Sequence, residues 1–134
     1  MPVGDIRVPI KSDQDLVLAR QEGRALASRL GFSSVDATFI ATAISELARN
    51  ILAYAREGVI TLRAIRDSSR EGILVVASDD GAGIPDIRLA LRDGFSTSGS
   101  LGLGLPGVRR LMDEFENTSR PGRGTNVKVK KWKP

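Results

Sequence analysis

Two apolar, β-branched runs, residues 59–65 and 73–78, are separated only by the polar segment 67–72. Adjacent strands with no helix between them read as an antiparallel hairpin. A regularly alternating βαβ fold is therefore the wrong frame for this chain. Two helical patterns precede the hairpin. Leu16, Ala19, Gly23, Leu26 and Leu30 recur at helical spacing behind a capping-box-like start at Ser12-Asp13-Gln14-Asp15, with Gly31 as the stop. Ser33-Ser34-Val35-Asp36 offers a second N-cap, and Ile40, Ile44, Leu47 and Ile51 form one apolar stripe. This second helix is predicted to reach about Arg56 and to stop at Gly58.

The flanks complete the pattern. Ile6-Arg7-Val8-Pro9-Ile10 suits an edge strand that carries a proline. Residues 86–92 suggest a short helix, and residues 93–100 are a small, polar loop. Leu105 to Phe115 predicts a third main helix with Pro106 in its first turn. Residues 121–124 read as a turn, and Thr125 to Trp132 alternates as a final strand. The expectation is an α+β, two-layer sandwich: a mixed, mostly antiparallel sheet with three main helices on one face and the other face more open. One domain over 1–134 is expected.

Composition removes several chemistries. The 134 residues contain no cysteine and no histidine. Thiol nucleophiles, thiolate metal sites and imidazole bases are excluded, so acid–base work falls to Asp, Glu, Lys or Tyr. No apolar stretch approaches the roughly 18–20 residues of a membrane span, and the first residues carry no signal-like pattern. A cytoplasmic location is the expectation. The net charge of +4 favours an anionic partner, while 4% aromatics are too few for a base-stacking platform.

Three elements carry candidate chemistry. Glu46 and Asn50 stand four apart on the second helix, on one face. An amide oxygen is a hard ligand suited to magnesium, and a carboxylate one turn away can polarise a hydroxyl. The same pair also fits a solvated helix face. Asp79 closes a strand before Gly81 and Gly83. A strand-end carboxylate can accept a hydrogen bond from an exocyclic amine, and the glycines permit close approach; a tight Asp-Gly turn is the plainer reading. Gly99, Gly102 and Gly104, with Ser96, Thr97, Ser98 and Ser100, make a donor-rich loop entering a helix. Such a loop can cradle phosphates, or serve as a linker.

Familiar nucleotide motifs fail. Residues 102–107 fit G-x-G-x-x-G, but a Ser/Thr/Gly loop precedes them where a dinucleotide fold needs a strand. No G-x-x-x-x-G-K-[ST] sequence exists, and the protein-kinase H-R-D loop cannot exist without histidine.

With these three elements in this order, the chain resembles the ATP-binding superfamily of gyrase, Hsp90, histidine kinases and MutL. Residues 46–50, 79–83 and 102–105 stand where that superfamily has its N box and two glycine boxes, and Gly124-Thr125 matches its late Gly-Thr. Residues 43–50, 93–99 and 105–115 look more specifically like the RsbT-type serine/threonine switch kinases. The resemblance covers residues 5 to 132.

It implies a Bergerat-type fold and two cofactors, ATP and Mg²⁺. By that likeness Glu46 is the catalytic base, Asn50 the metal ligand, Asp79 the reader of adenine and Thr125 its support. Gly83 would allow the base to approach, and Gly102 and Gly104 would contact phosphates. Gly81, Ile84, Ser96, Thr97, Gly99, Leu103 and Leu105 complete the implied ATP-binding set, with residues 86–104 as a lid. Arg49 and Arg88 are nearby cations without assigned roles. The implied substrates are STAS-domain scaffold and sensor proteins of the stressosome, with a downstream regulator bound after release. No membrane or nucleic acid is expected as partner.

The absence of histidine argues against an autophosphorylating histidine kinase, and at 134 residues no transducer domain is expected. A related anti-sigma factor, which sequesters a sigma factor and phosphorylates its antagonist, is the alternative. A nucleic-acid role for Lys128, Lys130, Lys131 and Lys133 is a third, for which a solvated edge and tail is the simpler account.

Overall fold

A computed structural model describes residues 5–79, 104–118 and 124–134. The elements run β1 (Ile6–Ile10), α1 (Asp13–Arg29), α2 (Ser34–Tyr54), β2 (Gly58–Asp67), β3 (Arg70–Asp79), α3 (Gly104–Leu111), β4 (Glu114–Asn117) and β5 (Thr125–Trp132). The sheet order is β1-β2-β3-β5-β4. All four pairings are antiparallel, so the parallel component of the expected mixed sheet does not occur among the described residues.

Period-two alternation sorts the strand residues onto two faces. Val8, Ile10, Ile60, Leu62, Ile73, Val75, Ala77, Val127 and Val129 are buried on the helix side. Leu16, Leu26, Ile40, Ile44, Leu47 and Ile51 meet them from α1 and α2. Each fully buried aliphatic side chain contributes roughly 1.5–3 kcal/mol, so this seam is the main cohesion of the two layers. The opposite face carries Thr61, Arg63, Val76, Lys128 and Lys130, none of them buried. β1 takes the predicted edge position.

Both predicted N-caps are in place. Ser12 Oγ accepts from the Asp15 amide at 3.4 Å, and Ser33 Oγ accepts from the Asp36 amide at 3.1 Å. Such caps stabilise a helix start by about 1 kcal/mol each. Gly31, at φ +91°, turns the chain between the helices.

Three boundaries differ from the expectation. Helix α2 stops at Tyr54, because Arg56 takes a left-handed φ of 70°; Gly58 already belongs to β2. The hairpin is longer than predicted, since Asp67 pairs with Arg70 across a turn at Ser68 (φ 53°). The third helix ends at Leu111, and Phe115 lies in a strand, β4, facing Val129. The physical cause lies in β5. Lys131 Nζ donates to the Leu111 carbonyl at 2.9 Å, closing the helix, and the Trp132 amide donates to Asp113 Oδ2 at 2.7 Å. The predicted short helix at 86–92, the loop at 93–100 and the lid at 86–104 up to residue 103 lie outside the described residues, as do 121–123 of the predicted turn.

Candidate functional site

The C-terminal half of α2 presents Leu47, Asn50, Ile51 and Tyr54, spaced three and four apart, along one line of the helix. They face the ends of two strands. Asp79, the last residue of β3, pairs across the ladder with Thr125, the first of β5. One step inward on the same face, Ala77 pairs with Val127. Leu105, in the first turn of α3, closes the remaining side. Together these nine residues line one narrow cleft.

The cleft has apolar walls and a few polar groups. Leu47, Ile51, Ala77, Leu105 and Val127 are all buried hydrophobics. Asn50, Asp79 and Thr125 supply an amide, a carboxylate and a hydroxyl. That combination suits a flat, largely apolar ligand held by a small number of directional hydrogen bonds. Asp79 also borders a wider groove on the open sheet face, with Arg7, Lys11, Ser78 and Asn126. That groove also carries apolar groups, Pro9, Ala55, Val59 and Val76, but it lies open on the sheet face, whereas the cleft is walled by buried hydrophobics.

Asn50 Nδ2 is buried and has no hydrogen-bond partner. An unsatisfied buried donor costs about 1–3 kcal/mol. The two ends of a side-chain amide interchange by rotation, so either atom can turn to a ligand. Among the described residues no group of three or more Asp and Glu residues forms a metal cluster. The side-chain amide of Asn50 is of the ligand type that magnesium takes when waters and phosphate oxygens fill its other positions.

Glu46 lies one turn before Asn50 and is 6% exposed. Arg49 Nη1 donates to its Oε1 at 2.6 Å, an i,i+3 ion pair with the arginine partly exposed. Glu46 is beside the cleft rather than among its lining residues. The fold thus brings Asn50, Asp79, Leu105 and Thr125 together, with Glu46 adjacent and Gly104 opening α3. Gly81, Gly83, Ile84, Ser96, Thr97, Gly99, Gly102 and Leu103 lie outside the described residues, as does Arg88. Sequence reasoning missed Leu47, Ile51, Tyr54, Ala77 and Val127 as lining. Tyr54, seven residues after Leu47 on the same face, was the available signal.

Comparisons with known proteins identify the family. The family model of histidine kinase-, DNA gyrase B- and HSP90-like ATPases matches residues 35–134. The chain is 54% identical over 125 residues to the serine/threonine-protein kinase RsbT of Bacillus subtilis, covering 93% of this chain and 94% of that one. It is 33% identical to the anti-sigma F factor of Caldanaerobacter subterraneus, covering 92% and 89%. A solved Mycobacterium tuberculosis chain with RsbU and RsbW domains matches the fold at a TM-score of 0.68 and 15% identity. That match covers 99% of this chain and 34% of the mycobacterial one. The chain belongs to the histidine kinase-, DNA gyrase B- and HSP90-like ATPases and, within them, to the RsbT-type serine/threonine kinases.

Proposed function

We propose that the chain is a Mg²⁺- and ATP-dependent kinase that phosphorylates a serine or threonine on STAS-domain proteins of a stressosome, and then engages a downstream regulator. The observation that carries the nucleotide reading is the Asp79–Thr125 pair facing Asn50 across an apolar-walled cleft. The protein-substrate reading rests on the RsbT relative, which spans nearly the whole chain.

Each residue has a distinct task in this reading. Asp79 accepts a hydrogen bond from the adenine amine, and Thr125 orients Asp79 from the neighbouring strand. Leu47, Ile51, Ala77 and Val127 cover the purine and exclude water, which strengthens that polar contact. Asn50 would hold Mg²⁺ through its amide oxygen, and the ion would supply neutralising charge to the triphosphate. Arg49 fixes the Glu46 carboxylate in one orientation. Glu46 takes the proton from the acceptor hydroxyl as that oxygen bonds to the γ-phosphorus. The bond from phosphorus to the β–γ bridging oxygen breaks, and ADP leaves. The burial of Glu46 keeps the base away from bulk water until an acceptor arrives.

The test is labelled-phosphate transfer to a STAS-domain protein by Glu46→Ala. ATP affinity should persist while transfer falls by about a hundredfold or more. Unchanged transfer refutes the assignment.

The second reading is an anti-sigma factor that holds a sigma factor and phosphorylates its antagonist, favoured by the anti-sigma F relatives. Tight capture of a sigma factor together with no phosphorylation of stressosome proteins would select it over the first.

A further inference from the structure

Gly58 opens β2 level with Asp79, because the next residue, Val59, pairs with Ser78. We propose that Gly58 is a positioning residue for Asp79, and that its missing side chain sets the width of the nucleotide cleft. The inference rests on the reading of Asp79 as the adenine partner, and it concerns a residue that lies outside the cleft lining.

Gly58 is present for space, not for backbone freedom. Among the described glycines the positive φ values belong to Gly31 and Gly124. A Cβ at position 58 would lie 2.5 Å from the Ser78 carbonyl oxygen, 2.9 Å from Ile51 Cγ2 and 3.0 Å from Asp79 Cβ. The first of these is backbone and cannot swing aside. Ile51 and Asp79 both line the cleft, one from α2 and the other from β3. Strand β2 cannot retreat, since Ile10 of β1 pairs with Gly58 on its other side and is fully buried. A methyl group at 58 must therefore wedge α2 away from β3 or turn Asp79 off its line. Either movement degrades a directional hydrogen bond to the base, in addition to straining the core at Ile51.

The same sheet supplies a matched control. A Cβ at Gly72 would lie 2.5 Å from the Lys131 carbonyl oxygen and 2.8 Å from Trp132 Cε3. That clash is as severe, but it sits at the far end of β3, among residues remote from the cleft.

The experiment compares the full chain with its Gly58→Ala and Gly72→Ala variants by calorimetry against ATP and inosine triphosphate, which carries an oxygen in place of the adenine amine. Buffer containing trimethylamine N-oxide keeps all three proteins folded, so that binding is read on folded chains. Both variants should lose stability in urea. Gly58→Ala alone should weaken ATP binding about tenfold and bring the ATP-to-inosine preference toward one. Retention of parental affinity and preference by Gly58→Ala overturns the inference, as does an equal loss in Gly72→Ala. If the parent itself binds both nucleotides alike, the adenine role of Asp79 is what has failed, and the Gly58 assignment falls with it.

Discussion

Replacing Asn50 with alanine should stabilise the ligand-free protein while removing its response to Mg-ATP. The buried Nδ2 without a partner costs about 1–3 kcal/mol in the free chain. Alanine also raises helix propensity by about 0.5 kcal/mol within α2. Against this stands lost packing of a half-buried side chain, of order 1 kcal/mol. The balance favours the variant by about 1 kcal/mol, a rise in melting temperature of about 3–5 °C for a chain of this size. Nucleotide reverses the order. A ligand at a hundred times its Kd stabilises the parent by about 2.7 kcal/mol, and a variant without the metal ligand gains far less. Thermal melts with no ligand, with ATP and EDTA, and with ATP and Mg²⁺ separate the two effects. The parent should overtake the variant only in the third condition. A variant that melts lower than the parent without ligand would refute the idea of an uncompensated amide. An equal Mg-dependent rise in both proteins would remove Asn50 from the metal.

Asp79→Asn should weaken ATP binding by about tenfold to a hundredfold, because an amide replaces a charged acceptor; calorimetry with undiminished affinity would exclude the adenine role. Lys131→Met should lower stability by about 1–2 kcal/mol, because it uncaps α3 at the Leu111 carbonyl, and a urea midpoint equal to the parent's would contradict that. The Arg63 fork, at 2.8 and 2.7 Å, holds the Asp5 carboxyl below its ordinary 3.8. A depressed folded value means the pair adds stability above pH 3.8 and loses it as pH falls through the folded value. Acid titration of Asp5→Asn in low salt should lack that component; as the pair is exposed, high salt should shrink it in the parent too.

The parts of the fold that could be read in the sequence are those fixed by local chemistry. Serine caps at 12 and 33, the stripe Ile40-Ile44-Leu47-Ile51 and the alternation in 125–132 each require only a few neighbouring residues to declare themselves. The errors occur where a distant strand decides. Helix α3 loses its last turn because Lys131 and Trp132, some twenty residues later, bond to Leu111 and Asp113. Strand β4 carries a period-two signal in Glu114-Phe115-Glu116-Asn117, but four residues are too few to outweigh an adjoining helical pattern. Arg56 adopts the left-handed turn that a glycine would ordinarily take, so the glycine at 58 marks the strand start and not the helix stop.

The candidate site divides along the same line. Asn50 and Asp79 were visible as residue types suited to a ligand, and Thr125 through the family resemblance, but their convergence depends on register. The β3–β5 ladder sets Asp79 against Thr125, 46 positions later, and a slip of one residue would turn Thr125 to the open face. The apolar lining was hidden for a different reason. Leu47 and Ile51 serve the core and the cleft at once, so their periodicity declares only the first duty. This shared duty links stability to cleft shape in this chain. A change that loosens the seam between α2 and the sheet also widens the cleft, so, on the proposed function, nucleotide affinity should fall earlier in urea than global structure does.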